Sequence, residues 1–130
     1  MSTLECGVDL VEIHRFTTLD PAIRKRFIRR VFTPAEIELC GDRDQHLAGR
    51  FAVKEAVAKA LGTGIGPISW QEVETLADDD QAPVLHLHGQ AQTTAAELGL
   101  DLWAVSITHT RELAMAFVVA ASAAGSAGDE

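Results

Sequence analysis

Glu55 and Lys59 stand four residues apart in the stretch 48–66, AGRFAVKEAVAKALGTGIG. That spacing puts an acid and an amine on one helical face, a turn from each other. Such pairs are commonplace on exposed helices, where they contribute only a few tenths of a kcal/mol. Here Arg50 and Lys54 lie upstream, and Ala52, Ala56, Ala58 and Ala60 would let another backbone or a ligand come close. A second carboxylate, Asp9, lies in LECGVDLVEI (4–13), where alternation gives Val8 and Leu10 one face of a strand and Asp9 and Val11 the other. In that apolar setting a carboxylate needs a cation or donors, unless it caps the segment that follows. Two carboxylates, a lysine and the glycine-rich loop GTGIGPIS suit a divalent metal with a diphosphate, because magnesium favours carboxylates, phosphate oxygens and water. The chemistry that follows is phosphoryl transfer, with a metal and Lys59 neutralising charge on a leaving phosphate. The loop by itself argues for a turn, since Gly62 reads as a helix C-cap and the helix end facing the loop carries partial negative charge.

The elements that must position these groups can be read in order. Residues 4–13 form an opening strand. Asp20 and Pro21 start a basic helix whose apolar stripe, Ile23, Phe27 and Ile28, lies opposite its arginines. Thr33-Pro34-Ala35-Glu36 has the capping-box pattern and opens a short helix to about Cys40, stopped by Gly41. The long helix runs from about Asp44 to Leu61, with Leu47, Phe51, Val57 and Leu61 inward. Ile68–Leu76 and Pro83–His88 read as a strand hairpin around an acidic turn, with His86 and His88 on one face. That pair reads as a solvated face, because metal binding needs a third ligand that the neighbouring sequence lacks. Gly89–Leu98 reads as a helix, and Leu102–Thr108 and Leu113–Ala121 as a second hairpin. His109 falls at its turn, as a binding imidazole or a plain turn residue; His14 and His46 read as surface residues. The fold class is α+β, a single domain over 1–121 with a small antiparallel sheet packed against a long central helix and shorter helices. Residues 122–130, all Ala, Gly, Ser and acid, read as a disordered tail.

Composition narrows the partners. The 130 residues carry a net charge of −8, with few aromatics and no Tyr, which argues against nucleic acid. Six of the 11 basic residues, Arg15, Arg24, Lys25, Arg26, Arg29 and Arg30, nevertheless gather within sixteen positions. That patch is either a solvated helix face or a dock for a compact acidic partner. Cys6 and Cys40 show no metal or disulfide spacing, no secretion signal is visible, and no apolar run is long enough to span a bilayer, so the expectation is a soluble cytoplasmic protein.

With these motifs the chain resembles the holo-acyl-carrier-protein synthase family of phosphopantetheinyl transferases over nearly its whole length. The resemblance rests on Gly7-Val8-Asp9-Leu10, Phe32-Thr33-Pro34-Ala35-Glu36, Gly49-Arg50-Phe51-Ala52-Val53-Lys54-Glu55-Ala56 continuing to Lys59-Ala60, Gly62-Thr63-Gly64-Ile65-Gly66 and Ser106-Ile107-Thr108-His109. The chain departs from the family in its overall acidity and its acidic tail. The resemblance implies magnesium-dependent transfer of the 4′-phosphopantetheine arm of coenzyme A to a serine of an apo acyl carrier protein, in fatty-acid or polyketide biosynthesis, with release of adenosine 3′,5′-bisphosphate. It implies that Asp9 and Glu55 hold magnesium, that Lys59 sits on the pyrophosphate beside Gly64, and that Arg50 and His109 face the 3′-phosphoadenosine. For the serine proton it leaves two acceptors, Glu55 and a water on the metal. It also implies a homotrimer with sites between subunits, His109 coming from a neighbour, and a carrier docked on Arg15, Arg24, Arg26 and Arg29. Two other readings compete: a non-catalytic coenzyme A or carrier-binding module, and a magnesium-dependent hydrolase using water as nucleophile.

Overall fold

A computed structural model describes residues 3–123 of the chain. In order, the elements are β1 (Leu4–Glu12), α1 (His14–Thr17), α2 (Pro21–Val31), α3 (Pro34–Cys40), α4 (Asp44–Leu61), a 3-10 turn (Trp70–Glu72), β2 (Val73–Ala77), β3 (Pro83–Leu87), α5 (Gly89–Glu97), β4 (Leu102–His109) and β5 (Leu113–Ala121). The strands form a three-stranded antiparallel sheet ordered β1-β5-β4 and a separate β2-β3 hairpin. No helix among the described residues is long and apolar enough to cross a membrane.

The three-stranded sheet has two unlike faces. Facing α4 are Gly7, Asp9 and Val11 of β1, the buried Ala114, Ala116, Val118 and Ala120 of β5, and Trp103, Val105, Ile107 and His109 of β4. The alanines let the helix come close, and the closest approach is at Gly7. A Cβ there would lie 1.9 Å from Ala56 O, a backbone atom that cannot swing away. Gly49 serves the same purpose near β4, but its Cβ would meet only the Cγ2 of Ile107, at 2.8 Å. The helix thus crosses the sheet with its first half over β4 and its second half against β1.

α4 is not a one-sided helix: thirteen of its 18 residues are buried, well beyond the expected inner set of Leu47, Phe51, Val57 and Leu61. The sheet covers one side and the elements from α3 to β2 cover another. Lys54, fully buried, makes the second contact: its ammonium donates to Glu36 Oε1 at 2.8 Å, to Trp70 O at 2.9 Å and to Val73 O. All three ammonium donors are used. Glu36 also accepts from the backbone N–H of Thr33 at 3.0 Å and of Thr75 at 2.8 Å. The expected capping box of α3 is present, and its glutamate extends further, to the helix core and the hairpin.

Three expectations change. Ile68–Leu76 is not one strand, because Glu72 accepts from the N–H of Ser69 at 2.9 Å and winds Trp70–Glu72 into the 3-10 turn before β2 begins. Ile23 is exposed, so the buried side of α2 rests on Phe27 and Ile28, with Phe27 in an aromatic cluster of Phe16, Phe51 and Trp70. α1, a single turn, has no periodicity to announce it; it closes on hydrogen bonds to His14 O. The first two residues of the expected tail are tied, Ser122 N–H to Thr3 O and Ala123 N–H to Asp101 Oδ1. The rest of that tail, 124–130, lies outside the described residues.

The two glycines give a direct check on the packing. Gly7→Ala should cost about 3 kcal/mol, the upper range for overpacking against fixed atoms, and Gly49→Ala clearly less because a side chain can give way. Urea unfolding of both variants measures the difference, and equal costs would contradict the close approach of β1 to α4.

Candidate active site

β1 and α4 bring the first three sequence-predicted groups together. Alternation along β1 turns Asp9 toward the helix, and the approach at Gly7 sets it beside the second half of α4. Lys59 Nζ donates to Asp9 Oδ1 at 3.1 Å and to Val8 O at 2.9 Å. Lys59 remains half exposed, so one of its donors is free for a ligand. Glu55, one turn earlier, is half buried. Burial pushes its carboxyl above the usual carboxylate range, the nearby charge of Asp9 pushes the same way, and Lys59 and Arg15 pull it down. Two carboxylates that repel each other, with an ammonium alongside, are a candidate cation site in chemical terms.

The donor set fits magnesium. Among the described residues no group of three or more His, Cys, Asp and Glu side chains could hold a metal ion. Asp9 and Glu55 are the side chains that could hold such an ion, with the remaining positions left to oxygens from elsewhere, a pattern compatible with its preference. Gly64 follows the left-handed Gly62 that ends α4, itself at φ 66°, with open space where a side chain would stand.

Arg50 and His109 meet in a second place. Together with Leu39, Arg43, His46, Ala77, Gln81, Pro83 and Ile107 they wall a cavity of about 240 Å³. Arg50 is buried, its Nε donating to Thr75 O at 3.2 Å. Asp9, Glu55 and Lys59 are not among these walls. Helix geometry explains the separation: nine residues from Arg50 to Lys59 are about two and a half turns, which puts them on opposite sides of α4. The sheet does the same, since β5 lies between β1 and β4 and holds Asp9 and His109 on strands about 10 Å apart. One chain thus carries two candidate half-sites facing different ways.

His46 is a member that its sequence context did not reveal. It is half buried in the first turn of α4 with its ring 6.2 Å from that of His109, centre to centre. Arg43 is likewise new to the site. Of the four arginines expected to receive a partner, Arg15 stacks over the Phe51 ring at 5.6 Å and bears on Glu55, so the basic surface begins beside the carboxylates. Arg26 and Arg29 are exposed. Arg24 is taken up by an ion pair with Asp44.

In metal-free protein, Asp9→Asn should bring the Glu55 titration down toward the usual carboxylate range, and Lys59→Met should drive it higher, followed by carboxyl-carbon NMR. The sign for stability is the reverse of a salt bridge: a carboxyl raised in the folded state loses stability as pH rises through its folded pKa, so Glu55→Gln should raise the Tm at neutral pH. A Glu55 titration unmoved by Asp9→Asn would mean that the two carboxylates do not share a site.

Known proteins resemble the chain over most of its length. The family model described as the 4′-phosphopantetheinyl transferase superfamily matches residues 5–118. The chain is 46% identical over 123 residues to a holo-[acyl-carrier-protein] synthase of Herpetosiphon aurantiacus, covering 89% of this chain and 97% of that one. It is 47% identical over 117 residues to the one from Dehalococcoides mccartyi, covering 90% and 98%. Among solved structures, the Helicobacter pylori holo-[acyl-carrier-protein] synthase in complex with coenzyme A superposes with a TM-score of 0.81 at 32% identity, covering 89% of this chain and 99% of that one.

Proposed function

Because the chain belongs to the holo-acyl-carrier-protein synthase family of 4′-phosphopantetheinyl transferases, we propose that its two half-sites bind coenzyme A between them. The protein transfers the 4′-phosphopantetheine arm of coenzyme A to a serine of an apo acyl carrier protein and releases adenosine 3′,5′-bisphosphate. The serine oxygen forms a bond to the phosphorus bearing the pantetheine, and the bond from that phosphorus to the bridging oxygen breaks. The observation that carries the residue assignment is Lys59 held on Asp9 with Glu55 one turn away.

Asp9 and Glu55 would hold magnesium, which when bound neutralises charge on the pyrophosphate. Lys59, anchored on Val8 O and Asp9, offers its remaining donor to the same oxygens and to the leaving phosphate. Gly64, with no side chain and open space around it, lets the pyrophosphate approach the backbone. Arg50 and His109 take the 3′-phosphoadenosine. Since these two share a cavity on the far side of α4, a neighbour that supplies His109 supplies Arg50 as well.

The outer face of the three-stranded sheet supports assembly with further copies of the chain, as in the homotrimer that the family resemblance implies. Leu4, Val8, Leu10, Met115, Phe117 and Leu102 share that face and are all exposed, Leu10 at 59% and Phe117 at 44%. A contiguous apolar sheet face calls for a cover, and a second copy of the chain covers it while bringing unlike half-sites together. The acidic carrier docks on the surface from Arg15 to Arg26 and Arg29, which leads its serine to Glu55 and Asp9; Arg24, paired with Asp44, shapes that surface more than it binds. Cys6 and Cys40 both stand free, in keeping with a cytoplasmic setting.

Intact-mass analysis of an apo acyl carrier protein incubated with this protein, coenzyme A and magnesium tests the whole reading. A gain of one phosphopantetheine is expected, abolished by a chelator and by Asp9→Ala or Glu55→Ala, and slowed by raised salt as docking weakens. Release of adenosine 3′,5′-bisphosphate without a carrier would favour the hydrolase instead.

A further inference from the structure

We propose that His46 is a specificity-determining residue, closing with Arg43, Arg50 and His109 a pocket that recognises the 3′-phosphate of coenzyme A as a dianion. The inference rests on the reading that Arg50 and His109 face the 3′-phosphoadenosine, and it adds a second imidazole and a proton to that reading.

Four basic side chains converge on the cavity of about 240 Å³ at the start of α4: Arg43, His46, Arg50 and His109. Nothing acidic lines it. α3 contributes Leu39, the β2-β3 hairpin contributes Ala77, Gln81 and Pro83, and β4 contributes Ile107 besides His109. Asp44, two residues from His46, is not a wall and is paired with Arg24. The two rings lie close, at 6.2 Å between centres. His46 also stands in the first turn of an 18-residue helix, where backbone N–H groups and the helix dipole favour an anion.

An empty pocket of this kind works against a proton on His46. Burial lowers its tendency to be charged, and the charges of Arg43, Arg50 and His109 lower it further. A phosphate monoester reverses the balance, because its two negative charges meet the arginines and reward a charged imidazole. Binding of coenzyme A is therefore coupled to uptake of a proton at His46. The sign follows: preference for the 3′-phosphorylated ligand is strongest in mildly acidic solution and fades as pH rises through the bound-state titration of His46. 3′-Dephospho-coenzyme A, which lacks the dianion, takes up no proton there and shows no such dependence.

Isothermal titration calorimetry at about pH 7, in buffers of different ionisation enthalpy, reads affinity and protons exchanged together. The probes are coenzyme A and 3′-dephospho-coenzyme A, each with magnesium, against the native protein and His46→Phe. Native protein is expected to prefer coenzyme A with net proton uptake. In His46→Phe the affinity for coenzyme A should fall about tenfold, as for loss of one charge-assisted hydrogen bond, with the uptake reduced and dephospho-coenzyme A binding retained to within a much smaller change. That last measurement also reports an intact fold, and titration of the ligand's own phosphate cancels in the comparison. If His46→Phe keeps native affinity and uptake, the role of His46 is overturned while the pocket reading stands. If native protein does not distinguish the two probes, the pocket reading falls and this inference with it.

Discussion

Gly7 is where a strand lies against a helix closely enough that no side chain can fit between them. Two residues further along β1, Asp9 faces the same helix, and the distance from Asp9 to Lys59 and Glu55 is set by that contact. A wider separation would leave Lys59 unable to reach Val8 O and Asp9 Oδ1 together. The alanines of β5 extend the close approach, and Gly49 continues it near β4. The small residues of sheet and helix are thus the means by which two like-charged carboxylates are held near each other, and the raised titration of Glu55 registers first its burial and then the charge of Asp9.

The other side of α4 is fastened differently. Lys54 adjoins Glu55 in sequence but points into the protein, where Glu36 and two carbonyls take every donor. An unpaired buried ammonium would be destabilising by several kcal/mol, so the pair demands that α3, the 3-10 turn and β2 all be in place. Burial lowers the tendency of Lys54 to be charged and Glu36 opposes that. With small residues on one side and a saturated ion pair on the other, α4 has little freedom to rotate. A helix fixed in this way holds Arg50 and Lys59 on opposite sides, the separation from which the proposed sharing of sites between chains starts.

Local patterns in the sequence foretold much of this arrangement. Alternation put Asp9 and Val11 on one face of β1, which the structure turns toward α4, Thr33 and Glu36 announced the start of α3, and Gly62 marked the end of α4. The reach of Glu36 was not legible, because a capping glutamate and a helical lysine 18 residues apart look like two ordinary surface groups. His46 met His109 only through packing of α4 against β4, a contact across 63 positions that no local spacing encodes. At Trp70–Glu72 two patterns competed: alternation suggested a strand, but the Ser69 cap with Glu72 won, a local side-chain hydrogen bond taking the backbone donor that a strand ladder would otherwise use.

The central claim is that each active site takes Asp9, Glu55 and Lys59 from one chain and Arg50 and His109 from another. Co-expressing Glu55→Ala and His109→Ala chains tests it, because each mutant alone damages every site while a mixed assembly rebuilds some from two intact halves. Random assembly should restore about one quarter of the native transfer rate. A mixture no more active than its two parents would contradict the claim and return all five residues to a single chain.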